Sequence, residues 1–217
     1  MTNNKMFDEG CELDFGIKDT LEVYCENNVQ KIYRIFLDEE ITEPSKYRNV
    51  VNTLERATEN DVVEFRINTI GGNLFSTLPI YNGILSASAR TRAIIDGTAI
   101  SAGTFIPLAC DDVIVMKNSL MMCHSATWGA WGDLKSLRDQ SNFKFQWARK
   151  LIGEVYEGFM SEEEIEDMIE NSMEYWMFDD EIVERLQRRQ EYIQKQESQE
   201  IIVPEKQLST RQRKKSA

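Results

Sequence analysis

Three short segments hold the residues best placed to do chemistry. The first is Gly97-Thr98-Ala99-Ile100-Ser101-Ala102-Gly103. A serine among small residues, where a strand gives way to a helix, leaves its hydroxyl open to a substrate backbone. The helix start adds free amides and the positive end of a dipole, the logic of a nucleophile elbow. The second is Met121-Met122-Cys123-His124-Ser125, an apolar strand that ends in the chain's single histidine. Any histidine acid–base chemistry runs through His124, and a multi-histidine metal site is excluded. The third is Ile67-Asn68-Thr69-Ile70-Gly71-Gly72. Two glycines between a strand and a helix permit a tight turn, close approach to a ligand backbone, and main-chain amides that can hold an oxyanion.

Each segment has a plainer reading when taken singly. Small residues before a buried helix pack closely, and a strand-end histidine is often only a hydrogen-bonded boundary residue. The glycine pair, in GGNLFS, lacks the GxGxxG arrangement of a dinucleotide site. Further on, Ser161–Glu181 holds ten carboxylates and no Lys or Arg, and most of these read as a solvated acidic face.

The elements that must position these residues alternate. Val29–Leu37 and Val62–Asn68 read as strands, with β-branched and aromatic residues between polar flanks. Pro44–Thr58 and Leu74–Arg90 carry apolar residues at helical spacing. Thr91–Ile95, Asp112–Met116 and Leu120–His124 are further strands, and Ile100–Leu108 reads as a buried helix. A short β-like stretch is expected at Leu21–Tyr24. From Asp133 the pattern turns helical: a long helix over Asp133–Phe159 that projects from the sheet, a helix opened by a capping box at Ser161–Glu164, and a charge-laced helix over Glu181–Glu200. Residues 204–217 form a basic tail. The alternation predicts an α/β domain with a largely parallel sheet.

Composition narrows the function classes. The chain has 217 residues, 41% of them hydrophobic, enough for one sizeable core. Lys+Arg 25 against Asp+Glu 37 gives −12, a poor balance for general nucleic-acid binding. The most apolar run, Ala93–Cys110, is broken by Asp96 and rich in small polar residues, so no membrane span is expected. The N-terminus shows no signal-peptide pattern. Cys11, Cys25, Cys110 and Cys123 have no metal spacing and are expected as reduced thiols in a cytoplasm.

Read together, INTIGG, GTAISAG and MMCHS resemble in order and spacing the Clp-type serine peptidases, the ClpP family, where the segments run approximately INSPGG, GxAASMG and MIHQP. The resemblance spans about Tyr33 to Arg185. It implies a crotonase/ClpP-like α/β fold, a repeated β-β-α core with a protruding handle helix. The domains expected are an N-terminal segment at 1–30, a peptidase domain at 31–186, and a charged helix with basic tail at 187–217. It implies Ser101 as nucleophile, His124 as general base, and Gly72 and Ala102 as oxyanion-hole amides. Aligning Trp176-Met177 with the family's helix-opening aromatic segment puts Glu174 at the position of the triad acid, where the family has an aspartate, with Asp179 and Glu170 as rivals. The implied function is a serine endopeptidase working inside a homo-oligomeric ring on peptide or unfolded protein. No cofactor, metal, nucleic acid or membrane is implied. The aromatics Phe143, Phe145 and Trp147 suit a ring-to-ring contact or packing on their own domain.

An AAA+ ATPase unfoldase is the family's usual partner, but the N-terminal segment does not match the axial loop that docks on it, and that partnership stays open. Ile70 replaces the family proline, and Ser125-Ala126-Thr127 follows His124 where the family has Gln-Pro, so peptide preference is expected to differ. A compact, divergent member of this kind suits a virus as well as a cell. Two other readings stay open. One is a catalytically inactive structural or adaptor subunit of a protease ring, kept alive by the changed acid. The other is an acyl-CoA enzyme of the crotonase type.

Overall fold

The structure, a computed structural model, describes residues 30–200. The stretch at Leu21–Tyr24, Cys11, Cys25 and the basic tail fall outside the described residues. Strands and helices alternate through the first half: β1 (Ile32–Leu37), α1 (Arg48–Arg56), β2 (Val62–Thr69), α2 (Leu74–Ser86), β3 (Arg90–Ile100), α3 (Phe105–Ala109), β4 (Asp112–Val115) and β5 (Leu120–Cys123). Then come α4 (Leu134–Tyr156), α5 (Glu162–Glu170), β6 (Tyr175–Phe178) and α6 (Asp179–Glu200). The six strands form one sheet in the order β1-β2-β3-β5-β6, with β4 also on β3. All pairings are parallel except β5 with β6.

The alternation of β2 explains its place. Val63, Phe65 and Ile67 are fully buried against the helices. Glu64 and Arg66 point the other way and meet charges from neighbouring strands. The register puts Arg34, Glu64, Arg92 and Asp112 side by side across four strands. Arg34 donates to Glu64 at 3.0 Å, and Arg66 forks onto Asp96 with two contacts of 2.6 Å. One face of the sheet is thus core and the other an ion-pair lattice.

Strand β3 is longer than the sequence pattern predicts. The apolar run ends at Ile95, but the strand continues to Ile100 through a bulge. Ile67 pairs with Ile95 and Thr69 with Ala99, so three residues of β3 lie opposite Asn68 alone. The Asn68 side chain fills the gap, accepting from the Thr98 amide at 3.1 Å. Gly97 makes this possible, because a Cβ there would lie 2.5 Å from the Asn68 Oδ1. Beyond the bulge β3 changes partner, from β4 to β5.

The helices lie where the pattern puts them but differ in their bounds. Helix α2 ends at Ser86 rather than Arg90, and the helix expected over Ile100–Leu108 opens as a 3₁₀ turn at Ser101–Thr104. Pro44–Tyr47 is a 3₁₀ turn before α1 rather than part of it. Trp176-Met177, expected to open a helix, lies in β6, and α6 begins only at Asp179. Such a short strand, flanked by acidic residues, has too little alternation to be read from sequence. The capping box at Ser161 and Glu164 is present, with both reciprocal bonds made. All four buried residues of α4 lie in its C-terminal half, so its N-terminal half projects. Phe143 is 70% exposed there and Phe145 is also exposed.

Helix α6 is continuous through residues 186 and 187 and is anchored by two arginines. Arg189 donates to the carbonyls of Leu108 and Val155, a cation at the ends of α3 and α4. Arg185 forks onto Glu164 at 2.7 and 2.8 Å and onto Glu181, clamping α5 to α6 around β6. Its side chain is only 10% exposed. Removing one partner of so enclosed an ion pair leaves the other unpaired, so Arg185→Ala is expected to lower stability by about 3 kcal/mol, read by urea unfolding.

Candidate active site

Ser101 stands where β3 ends and a 3₁₀ turn, Ser101–Thr104, begins. Its φ is 56°, in the left-handed region that a residue with a Cβ rarely enters. The turn throws the hydroxyl out of the sheet toward the end of β5. There the Ser101 Oγ lies 2.5 Å from the His124 Nε2. The sequence-predicted serine and histidine are therefore brought together, and the pairing of β3 with β5 (Ile100 opposite Met122) is what does it.

The glycine pair closes on the same point. Gly71 has a φ of +85°, and a Cβ there would sit 2.4 Å from the Ile100 carbonyl and 3.0 Å from the Ala102 nitrogen. Only glycine lets the two backbones touch. Gly72, at φ +140°, lies against Ile41. The bridge between them uses the Gly71 carbonyl and the Asn73 amide, at 2.8 and 2.7 Å, and leaves out the Gly72 amide. Gly72 and Ala102 both line a cleft of about 540 Å³ that also holds Ser101 and His124.

The rest of that cleft is mostly apolar: Leu74, Phe75, Phe105, Met122 and Ile152 among others. Its rim is an aromatic cluster. Phe75 stacks on Trp147 with centroids 6.5 Å apart, and Trp128 meets Trp147 edge-on at 5.1 Å. Trp147 therefore packs on its own domain. The Trp128 indole N–H is buried with no hydrogen-bond partner among the described residues. Sequence reasoning did not single out Asn68 or Trp128, and it held Gly97 only as the first residue of the small-residue segment. The INTIGG segment held Asn68, but only the bulge shows what its amide does.

The three candidate acids separate cleanly. Glu170 pairs with Arg149 at 2.9 Å. Asp179 accepts from the Asn118 amide at 3.1 Å, in the turn between β4 and β5. Neither lines a recess with His124. Glu174 is different, because the antiparallel register runs Leu120–Phe178 through Cys123–Tyr175, and one step further sets Glu174 opposite His124. The two share a recess of about 380 Å³. No hydrogen bond joins them among the described residues. The Glu174 carboxylate instead accepts from the Trp176 indole N–H at 3.1 Å.

Two opposed effects act on His124. Burial holds its pKa below the ordinary 6.5, and the Glu174 charge pulls it up. The net direction is down, so the imidazole is neutral at pH 7 and able to accept a proton. A hydroxyl beside a neutral imidazole, with two main-chain amides on the same cleft, is an arrangement suited to acyl transfer. The described residues hold no cluster of His, Cys, Asp and Glu that suits a metal. None of their helices is long and apolar enough to cross a membrane.

A family model described as Clp protease matches residues 20–185. No curated protein matches the chain in sequence.

Because His124 is the only histidine, its ring signals identify themselves in an NMR titration. The midpoint is expected below 6.5. Glu174→Gln removes the one charge that favours the imidazolium and is expected to move it lower still. An unchanged midpoint would separate Glu174 from the histidine.

Proposed function

The chain belongs to the Clp protease family, with that family's α/β fold, and from that premise we propose that it is a serine peptidase whose nucleophile is Ser101. The observation that carries this reading is the 2.5 Å approach of the Ser101 hydroxyl to the His124 Nε2. His124 takes the hydroxyl proton as Oγ attacks a peptide carbonyl carbon. The electron pair of the carbonyl moves onto oxygen, which rests against the amides of Gly72 and Ala102. The imidazolium then gives its proton to the leaving amine, the C–N bond breaks, and an acyl group remains on Oγ. Water, deprotonated by the same imidazole, releases it as a carboxylic acid.

Glu174 takes the part of the orienting acid, its longer side chain reaching across from the end of β6. The apolar cleft suits an uncharged side chain of the substrate beside the scissile bond. The projecting half of α4, with Phe143 and Phe145 exposed, gives a surface for self-association into the ring form that this family adopts. One observation favours a second reading, a non-catalytic subunit of a protease ring: the Glu174 carboxylate is engaged by Trp176 rather than by His124.

A fluorophosphonate probe separates the two. The oligomer is expected to be labelled at Ser101, located by mass spectrometry, and Ser101→Ala and His124→Ala are each expected to abolish labelling. An unlabelled wild-type oligomer would favour the non-catalytic subunit. Glu174→Gln is expected to cut hydrolysis of an unstructured protein such as casein by about 10²–10⁴-fold. Full activity in that variant would remove Glu174 from the triad.

A further inference from the structure

A buried chain of hydroxyls runs beneath the cleft. Thr104 Oγ1 donates to the Ser101 carbonyl at 2.6 Å. The same oxygen lies 2.7 Å from the Tyr156 hydroxyl. Thr104 has one hydroxyl proton, and the carbonyl takes it, so Tyr156 is the donor in the second bond. Both residues are fully buried. The Cys123 thiol, next to His124 in the chain, faces the same phenol. Tyr156 also meets Phe105 edge-on, with centroids 5.9 Å apart.

The bond to the Ser101 carbonyl has a geometric consequence. That carbonyl and the Ala102 N–H are the two ends of one planar peptide unit, and in a trans peptide they point in opposite directions. Fixing the carbonyl toward the core therefore fixes the amide toward the cleft. The unit needs fixing, because Ser101 holds a left-handed φ that costs about 1–2 kcal/mol for an L-residue.

We propose that Thr104, held by Tyr156 at the end of α4, is a positioning residue that aims the Ala102 amide and the Ser101 hydroxyl at the reacting carbonyl. This rests on the serine-peptidase reading for its chemistry, but not for its geometry. A transition-state donor held off its line loses rate without losing ground-state binding, so the effect belongs in the chemical step.

The test is the inactivation of the full-length oligomer by a fluorophosphonate, with kinact and KI measured separately. Thr104→Val keeps the shape of the side chain and deletes the hydroxyl. It is expected to lower kinact about 10-fold or more and leave KI within about 2-fold. Thr104→Ser restores the hydroxyl and is expected to recover kinact to within about 2-fold of wild type. Tyr156→Phe deletes only the support and is expected to lower kinact by a smaller factor; it carries the test alone should Thr104→Val not fold. An unchanged kinact in Thr104→Val, or a loss that Thr104→Ser does not recover, overturns the proposal. Amide hydrogen exchange over residues 101–105 supplies a readout independent of labelling. If wild type resists the reagent, the peptidase reading fails, and exchange decides the positional claim. Faster exchange there in Thr104→Val but not in Thr104→Ser, with β1 and β2 unchanged, upholds it. Equal exchange in all three proteins overturns it.

Discussion

The close approach of two backbone turns governs this molecule. The turn after β2 and the turn after β3 touch at Gly71, where the nearest carbonyl leaves no room for a side chain. One turn carries the Gly72 amide, and the other carries Ser101 and the Ala102 amide. Hydroxyl, imidazole and two amides meet at one cleft only because these turns are in van der Waals contact. A glycine on one side and a left-handed serine on the other are what permit that contact.

The sheet is bent to deliver the two turns together. A regular parallel ladder between β2 and β3 would carry both strands on in register and keep β3 beside β4. The bulge opposite Asn68 instead advances β3 and hands it to β5. His124 follows directly from β5, so the strand exchange is also what places the imidazole. Ser119 sits at the crossing, its hydroxyl within hydrogen-bond reach of the Ile95 carbonyl at 2.8 Å and of the Met116 carbonyl at 2.6 Å, where β3 leaves β4. Strand irregularity near a reactive group is here a means of aiming side chains that a straight strand would hold apart.

The parts legible in the sequence were those set by composition over several residues. The β2 alternation and the capping box at Ser161 each rest on local patterns, and each is found in the structure. Helices α2 and α4 were legible as helices, but not the faces they bury: α2 buries Ser76, Thr77, Ile80 and Ile84, and Leu134 and Phe143 of α4 are exposed. The glycine pair, the small-residue turn and the lone histidine were visible as candidates because their types are unusual. What could not be read depends on tertiary pairing. Strand β3 runs past its apolar core because Asn68 lends an amide from another strand. β6 is a strand only because β5 lies beside it, and apart from the family resemblance only its register distinguishes Glu174 from nine other carboxylates nearby. Thr104 and Tyr156 meet across 52 residues of chain, and nothing local marks either of them.

The charge state of His124 follows from where its neighbours sit rather than from which they are. Glu174 stands opposite it across the β5–β6 pair, but it is exposed to solvent, while the imidazole is half-buried. Solvent around a carboxylate screens its field, and the water that the ring has lost is the larger effect. The desolvation effect therefore wins, and the ring is neutral where a proton must be accepted. The buried hydroxyl chain completes the picture on the other side of the cleft. Burial drives the Cys123 thiol up to about 12, and it holds the Tyr156 phenol protonated as well. Neither the Cys123 thiol nor the Tyr156 phenol therefore ionises near neutral pH to compete with His124 for the serine proton. A polar network that stays neutral and fully bonded can brace a strained turn without disturbing the chemistry above it.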